Sequence, residues 1–141
     1  MEKRISARAI LIEDEYVHLM FRRKTDEAGN VSEYYAIPGG GVEGDATIAE
    51  TILREMKEEF SIDVKILGYL GNLETDKTVE HYFRVEIVNG IPTLGGEELD
   101  RMSETNYYEV RKVLLSEINE INLLPKEMVL KAMNRDYINL V

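Results

Sequence analysis

The stretch PGGGVEGDATIAETILREMKEEFSI, residues 38–62, joins a run of three glycines to a segment carrying three closely spaced carboxylates. Thr47 followed by Glu50 has capping-box spacing, in which each side chain satisfies a backbone N–H at a helix start. From Ile48 to Phe60 there is no Gly or Pro, and most residues are fair to good helix formers, which predicts a helix over this span. At roughly 100° per residue, Ile48, Ala49, Ile52, Leu53, Met56 and Phe60 share an arc of about 140°. That apolar stripe is expected to face a core. Glu55, Glu58 and Glu59 fill a neighbouring arc of about 100°. Their i, i+3, i+4 spacing lets the three carboxylates converge on one point. Arg54 sits on the far flank, four residues before Glu58, and can pair with it.

An acidic helix face is most simply a solvated surface. Two features argue otherwise. Three like charges beside an apolar stripe repel one another, and an ordinary surface helix would intersperse lysines among them. The Gly39-Gly40-Gly41 run lets backbone approach closely and leaves carbonyls free to point inward. Carboxylates plus carbonyls make a hard-oxygen set suited to Mg²⁺ or Mn²⁺.

The segment resembles the Nudix box of the Nudix hydrolases (MutT-like): Gly, five residues, Glu, seven residues, then Arg-Glu-aliphatic-any-Glu-Glu-any-Gly-aliphatic. Gly40, Arg54, Glu55, Met56, Glu58, Glu59 and Ile62 match it. Two positions depart: Ala46 stands where the family has Glu, and Ser61 where it has Gly. Tyr-Tyr-Ala-Ile-Pro leading into the glycines, and Arg-Arg ending the second apolar strand, are also similar to the family. The resemblance implies a single α/β domain over residues 1–141 with the Nudix fold, a mixed β-sheet sandwiched between α-helices. It further implies a Mg²⁺- or Mn²⁺-dependent pyrophosphohydrolase acting on a nucleoside diphosphate linked to another group. A nucleoside triphosphate, ADP-ribose and a dinucleotide polyphosphate all stay open as substrates.

Carried over by position, Glu58 and Glu59 are expected metal ligands and Glu55 a ligand or the base. The Gly39 carbonyl is expected to complete the inner shell, with Arg54 orienting the carboxylates. Arg23, and after it Arg8, are the expected phosphate-binding cations. Some relatives add a carboxylate from a late loop. Of Glu97, Glu98 and Glu104, Glu104 is preferred here. Ser61 bears on stability, because a left-handed helix end disfavours a side chain by about 1 kcal/mol. Ala46 removes a carboxylate from the outer part of the box, and Asp45 or Glu43 could replace it only if the backbone shifts. It also motivates a second reading, a nucleotide-binding sensor that does not cleave.

The remaining sequence sets bounds. At 141 residues the chain has the length of one domain with a proper core. A net charge of −10 argues against a nucleic-acid polymer or an anionic membrane as partner. A small nucleotide remains compatible if metal ions and a few arginines neutralise it locally, and the resemblance leaves room for a homodimer. Without Cys there is no disulfide, thiolate metal site or Cys nucleophile, which fits a cytoplasmic location. The opening MEKRISARAILIEDE has too short an apolar run for a signal-peptide core or a membrane span.

Alternation predicts strands over residues 6–12, 16–23, 32–37, 62–73, 79–88 and 106–114. In the second, Val17, Leu19, Phe21 and Arg23 point one way, and His18, Met20 and Arg22 the other. Residues 89–105 are expected to form a functional loop. A short helix is predicted over 116–121, and another over 126–135 with Pro125 at its first turn. Residues 24–32 and 89–105 are the loops expected to set specificity. Tyr34, Tyr35 and Tyr107 are read first as strand residues and second as base-stacking rings. His18 and His81 are read as structural.

Overall fold

The computed structural model describes residues 2–140. Among these residues eight strands join in one sheet: β1 (Arg4–Glu13), β2 (Tyr16–Thr25), β3 (Val31–Ala36), β4 (Gly39–Gly41), β5 (Asp63–Glu74), β6 (Thr78–Asn89), β7 (Asn106–Leu114) and β8 (Ile138–Asn139). Among the described residues three α-helices accompany them, α1 (Ile48–Phe60), α2 (Gly96–Asp100) and α3 (Lys126–Met133), with a 3-10 helix at Leu115–Glu120. The main path of the sheet runs β3-β2-β1-β6-β5-β8, while β4 pairs with β1 and β7 with β2.

The sheet is mixed and forked. β1 and β2 pair only next to their turn, through Leu11 with His18, Ile12 with Val17 and Glu13 with Tyr16. Beyond that point they part. β1 takes β4 on its freed edge, Arg8 facing Gly39, and runs parallel to β6 on its other edge. β2 takes β3 on its freed edge and β7 along its full length on the other. The gap between the diverging strands becomes the cleft described below.

Strand parity distributes the apolar residues over both faces. Ala7, Ala9, Leu11, Met20, Phe83 and Val85 bury against Ile52, Met56 and Phe60 of α1. Ile10, Val17, Leu19 and Tyr82 bury on the other face against Ile118 of the 3-10 helix and Met128, Val129 and Ala132 of α3. Each large side chain removed from water in these layers contributes about 1.5–3 kcal/mol. The expected α/β layering, a mixed sheet between helices, is what the chain adopts.

The helix α1 spans the predicted residues and carries both halves of its capping box: Glu50 N–H donates to Thr47 Oγ1, and Thr47 N–H to the Glu50 carboxylate, each at 3.0 Å. Its buried face is turned from the expected one. Ala49 and Leu53 are exposed, whereas Thr51 and Glu59 are buried. The sheet therefore covers part of the acidic arc as well as the apolar stripe. Ser61 keeps the left-handed conformation, φ 59° and ψ 33°. Its Oγ donates to the Thr93 carbonyl at 3.2 Å, which offsets part of the strain.

Residues 89–105 hold a short helix where none was expected. Before it, the loop is tied to the C-terminal end of α1: Thr93 N–H donates to the Phe60 carbonyl at 2.8 Å, and Gly95 N–H to the Glu59 carbonyl at 2.9 Å. These bonds satisfy helix-end carbonyls that have no partner within α1. A Cβ on Gly95 would stand 2.8 Å from the Glu58 carbonyl oxygen, so the close approach needs glycine. The strap delivers α2 to the acidic face of α1. Pro125 occupies the N-cap of α3 rather than its first turn, with ψ at 124°. Strands β4 and β8 were not expected from alternation; both are set by pairing, with β1 and β5 respectively.

Candidate functional site

The fork between β1 and β2 opens into a cleft of about 760 Å³. Glu55, Glu58 and Glu59 of α1, Glu97 and Glu98 of α2, and Glu43 make one wall. Arg4 and Arg8 of β1 and Arg22 and Lys24 of β2 line it as well, together with Arg54, Arg101 and the backbone of β4. A chain with net charge −10 has here gathered cations opposite carboxylates. That polarity suits an anionic ligand held against a cation bound by the acidic wall.

Glu59 is the anchor of the acidic wall. It is 8% exposed, and its Oε2 accepts from the Gly39 N–H at 3.2 Å. Burial, then the nearby charges of Glu98 and Glu55, push its carboxyl up to about 9. Glu55 is half-buried, and burial pushes its carboxyl upward against the downward pull of Arg54, whose Nη2 donates to Glu55 Oε1 at 3.0 Å. Arg54 also donates to the Gly41 carbonyl at 3.2 Å and stands 3.9 Å from both Glu58 and Glu43. Glu43 is 81% exposed, so solvent screening leaves that contact weak.

The expected divalent metal can be tested against this donor set. Among the described residues, no three His, Cys, Asp or Glu side chains stand together closely enough to hold a metal ion as arranged. Arg54 draws Glu55 and Glu58 toward itself, while Glu59 is turned to Gly39. The chemistry nonetheless fits a hard cation. Every donor is oxygen, and Glu59 is a buried carboxylate with no ion-pair partner among the described residues. Such a group stays ionised only when a positive charge is supplied.

The structure brings Gly39, Arg54, Glu55, Glu58, Glu59 and Arg8 to one cleft. Arg8 is held by Glu80 at 3.3 Å and donates to the Ile37 carbonyl at 3.4 Å. Arg23 is not there. It lies on the opposite face of β2 beside Phe21 and Tyr107, paired with Glu33 at 2.8 Å. Its neighbour Arg22 faces the cleft instead, because a strand turns successive side chains to opposite faces. Glu104 is also misplaced: it is exposed on the turn before β7, while Glu98 lies beside Glu59. The Gly95-Gly96 pair was the signal that this loop packs tightly on α1. Tyr35 and Tyr107 pack on Phe21, away from the cleft, and Tyr34 lies against Arg22. His18 is buried in β2, and His81 Nδ1 bonds the Tyr69 hydroxyl at 2.7 Å.

Gly40 shows how tightly backbone and acid are fitted. A Cβ there would lie 2.3 Å from Glu55 Oε1. Gly40→Ala is expected to swing the Glu55 carboxylate aside and lower turnover at least about tenfold, with about 1 kcal/mol or less lost in stability. Steady-state kinetics beside thermal melts would check it, and unchanged turnover would show that the Glu55 position does not matter.

A family model described as NUDIX domain matches residues 2–128. No curated protein matches the sequence. Among solved structures, a NUDIX hydrolase from Nitrosomonas europaea superposes with a TM-score of 0.73 at 13% identity, covering 99% of this chain and 94% of that one. An ADP-ribose pyrophosphatase from Streptococcus suis superposes at 0.64 with 14% identity, covering 96% and 92%. A UDP-X diphosphatase superposes at 0.66 with 18% identity; it covers 96% of this chain, which spans only 65% of that protein. At these identities the superpositions speak to the fold. Among the described residues, no helix is long and apolar enough to cross a membrane.

Proposed function

The chain belongs to the Nudix hydrolase family, and from that premise we propose a divalent-metal-dependent pyrophosphohydrolase that splits the phosphoanhydride of a nucleoside diphosphate linked to another group. The observation that carries the reading is Glu59: a buried, cation-free carboxylate beside Glu55 and Glu98, in a cleft also lined by Arg4, Arg8, Arg22 and Lys24. Glu55, Glu58 and Glu59 would hold Mg²⁺ or Mn²⁺, with the Gly39 carbonyl as the backbone donor. The bound ion would acidify a coordinated water and offset charge growing on phosphoryl oxygens. Arg54 keeps Glu55 and Glu58 oriented through its fork of donors. The cationic side chains neutralise the pyrophosphate as it enters an acidic protein. Water attacks one phosphorus as its bridging P–O bond to the other breaks; Glu98 would take the water's proton, and the leaving phosphate, carrying the electron pair of the broken bond, departs along that cationic lining. The absence of Cys is compatible with a cytoplasmic enzyme acting on small nucleotides.

Incubation with Mg²⁺ and a panel of nucleoside triphosphates, ADP-ribose and dinucleotide polyphosphates tests the reading. Turnover of at least one member is expected. Folded protein that cleaves none of them with several metals would overturn it. Ala46, standing where the family's box has Glu, is the specific observation favouring a non-cleaving sensor. Calorimetric binding of an intact nucleotide, with no product afterwards, would select the sensor.

A further inference from the structure

The helix α1 ends on Ser61, held in the left-handed conformation that glycine adopts without steric cost. Glycine is what the family's box has there, so this chain bears a strain that the usual residue avoids. The hydroxyl bond to Thr93 is exposed and recovers only part of it. Resting on the hydrolase reading above, we propose that Ser61 is a positioning residue for the reaction: its hydroxyl fixes the strap that holds Glu98 in the cleft.

The strap is gripped at Thr93 from both ends of that residue. Its N–H donates to the Phe60 carbonyl at 2.8 Å, and its carbonyl accepts from Ser61 Oγ at 3.2 Å. One such bond would let the backbone pivot about it. Two, made to neighbouring residues of α1 and its cap, fix orientation as well as position. Further along, the Gly95 N–H donates to the Glu59 carbonyl at 2.9 Å. Of these three bonds, the one from Ser61 is made by a side chain, so a substitution removes it and leaves the other two in place. A Cβ on Gly95 would stand 3.2 Å from Ser61 Oγ, so the hydroxyl is fitted to the strap at Gly95 as well as at Thr93.

Glu98 depends on this grip because α2 has little to hold it in place by itself. It has five residues, none of them buried, and its N-cap, Gly95, makes no side-chain bond. A helix that short does not sustain itself in water. The chain on either side of it does the holding: Leu94 and Met102 pack on the core beneath α1, and the strap ties the start of α2 to the end of α1. Glu98 lies within one helical turn of Gly95, so a pivot of the strap at Thr93 carries its carboxylate along. A base must stand within hydrogen-bond reach of the proton it takes, and a displacement of about 1 Å costs rate.

Two variants separate this role from a purely structural one. Ser61→Gly and Ser61→Ala both remove the hydroxyl, but glycine relieves the strain and alanine keeps it. Ser61→Gly should therefore melt no lower than wild type, and Ser61→Ala lower. Amide hydrogen exchange on the metal-free chain reads the strap without needing turnover. In both variants the Thr93 and Gly95 N–H groups should exchange at least about threefold faster. In Ser61→Gly those of Ile52 and Met56, inside α1, should exchange no faster than in wild type. In steady state, with a nucleotide of the panel that is hydrolysed, both variants should lower kcat about threefold to tenfold and leave KM within about twofold. In a Glu98→Gln background the further loss on adding Ser61→Gly should vanish, because the two residues act as one. Faster exchange of the strap in a chain that hydrolyses nothing would support the grip and sink the hydrolase. Wild-type exchange or wild-type kcat in Ser61→Gly would overturn the role of Ser61 and leave the hydrolase standing. So would a fall in kcat of the same size with and without Glu98.

Discussion

Glu59→Gln is expected to lower turnover by a factor of about 10² or more while making the metal-free protein more stable. The carboxylate is the most deeply buried of the acidic wall and sits among Glu55 and Glu98 without a cation. Its folded carboxyl is raised from 4.5 to about 9, so the folded chain holds a proton that the unfolded chain has already released. Between those two values the folded state binds more protons, and stability therefore falls as pH rises. The fall begins above the unfolded value and is complete once pH passes about 9. Glutamine mimics the protonated side chain and its oxygen can still accept from Gly39. The variant should gain about 1–3 kcal/mol at neutral pH, several degrees in melting temperature, and lose most of the pH slope. Melts of metal-free protein across this range test the expectation. A variant that melts lower than wild type at every pH would show Glu59 to be a structural residue instead.

The second large effect is expected at Gly39. Its φ of 151° is one that side chains rarely adopt, and a Cβ would stand 2.1 Å from the Ala7 carbonyl oxygen and 2.8 Å from Arg8 Cα. Both contacts are backbone, so neither can swing away. Gly39→Ala must open the pairing of β4 with β1 at the base of the cleft, where Gly39 faces Arg8. A loss of about 2–4 kcal/mol follows from strain and lost pairing together. The Gly39 N–H that holds Glu59 moves with it, so activity should fall by a factor of about 10² or more. Melting temperature and turnover read the two effects separately. A variant melting within about 2 °C of wild type would show that β4 tolerates rearrangement.

How much of this was legible in the sequence depended on whether the signal was local. The helix α1 and its cap could be read to the residue, because capping and periodicity are properties of neighbours. The strand β7 matched its predicted span, 106–114, for the same reason. Strand β4 could not be read, since three glycines have no strand propensity and pair only because β1 offers an edge. The rotation of α1 was also hidden. Hydrophobicity favoured Leu53 for burial, but the fork in the sheet brings Thr51 and Glu59 under cover instead.

In the site, parity was read correctly and its sign was not. Alternation set Arg22 with Met20 and Arg23 with Phe21, yet nothing local says which of those faces α1 will cover. Arg23 was preferred on position along the strand, and the cleft has Arg22. Glu104 lost to Glu98 for a tertiary reason. The loop is strapped to the end of α1 through Gly95 and Thr93, and the strap sets α2, not the following turn, beside Glu59.

The account rests on the acidic wall being a cation site, and Mn²⁺ binding followed by electron paramagnetic resonance tests that most directly. Titrated into wild type at neutral pH, Mn²⁺ should be taken up at the cluster, and Glu59→Gln should weaken that uptake by about tenfold or more. Identical uptake by the two proteins, both folded, would contradict it.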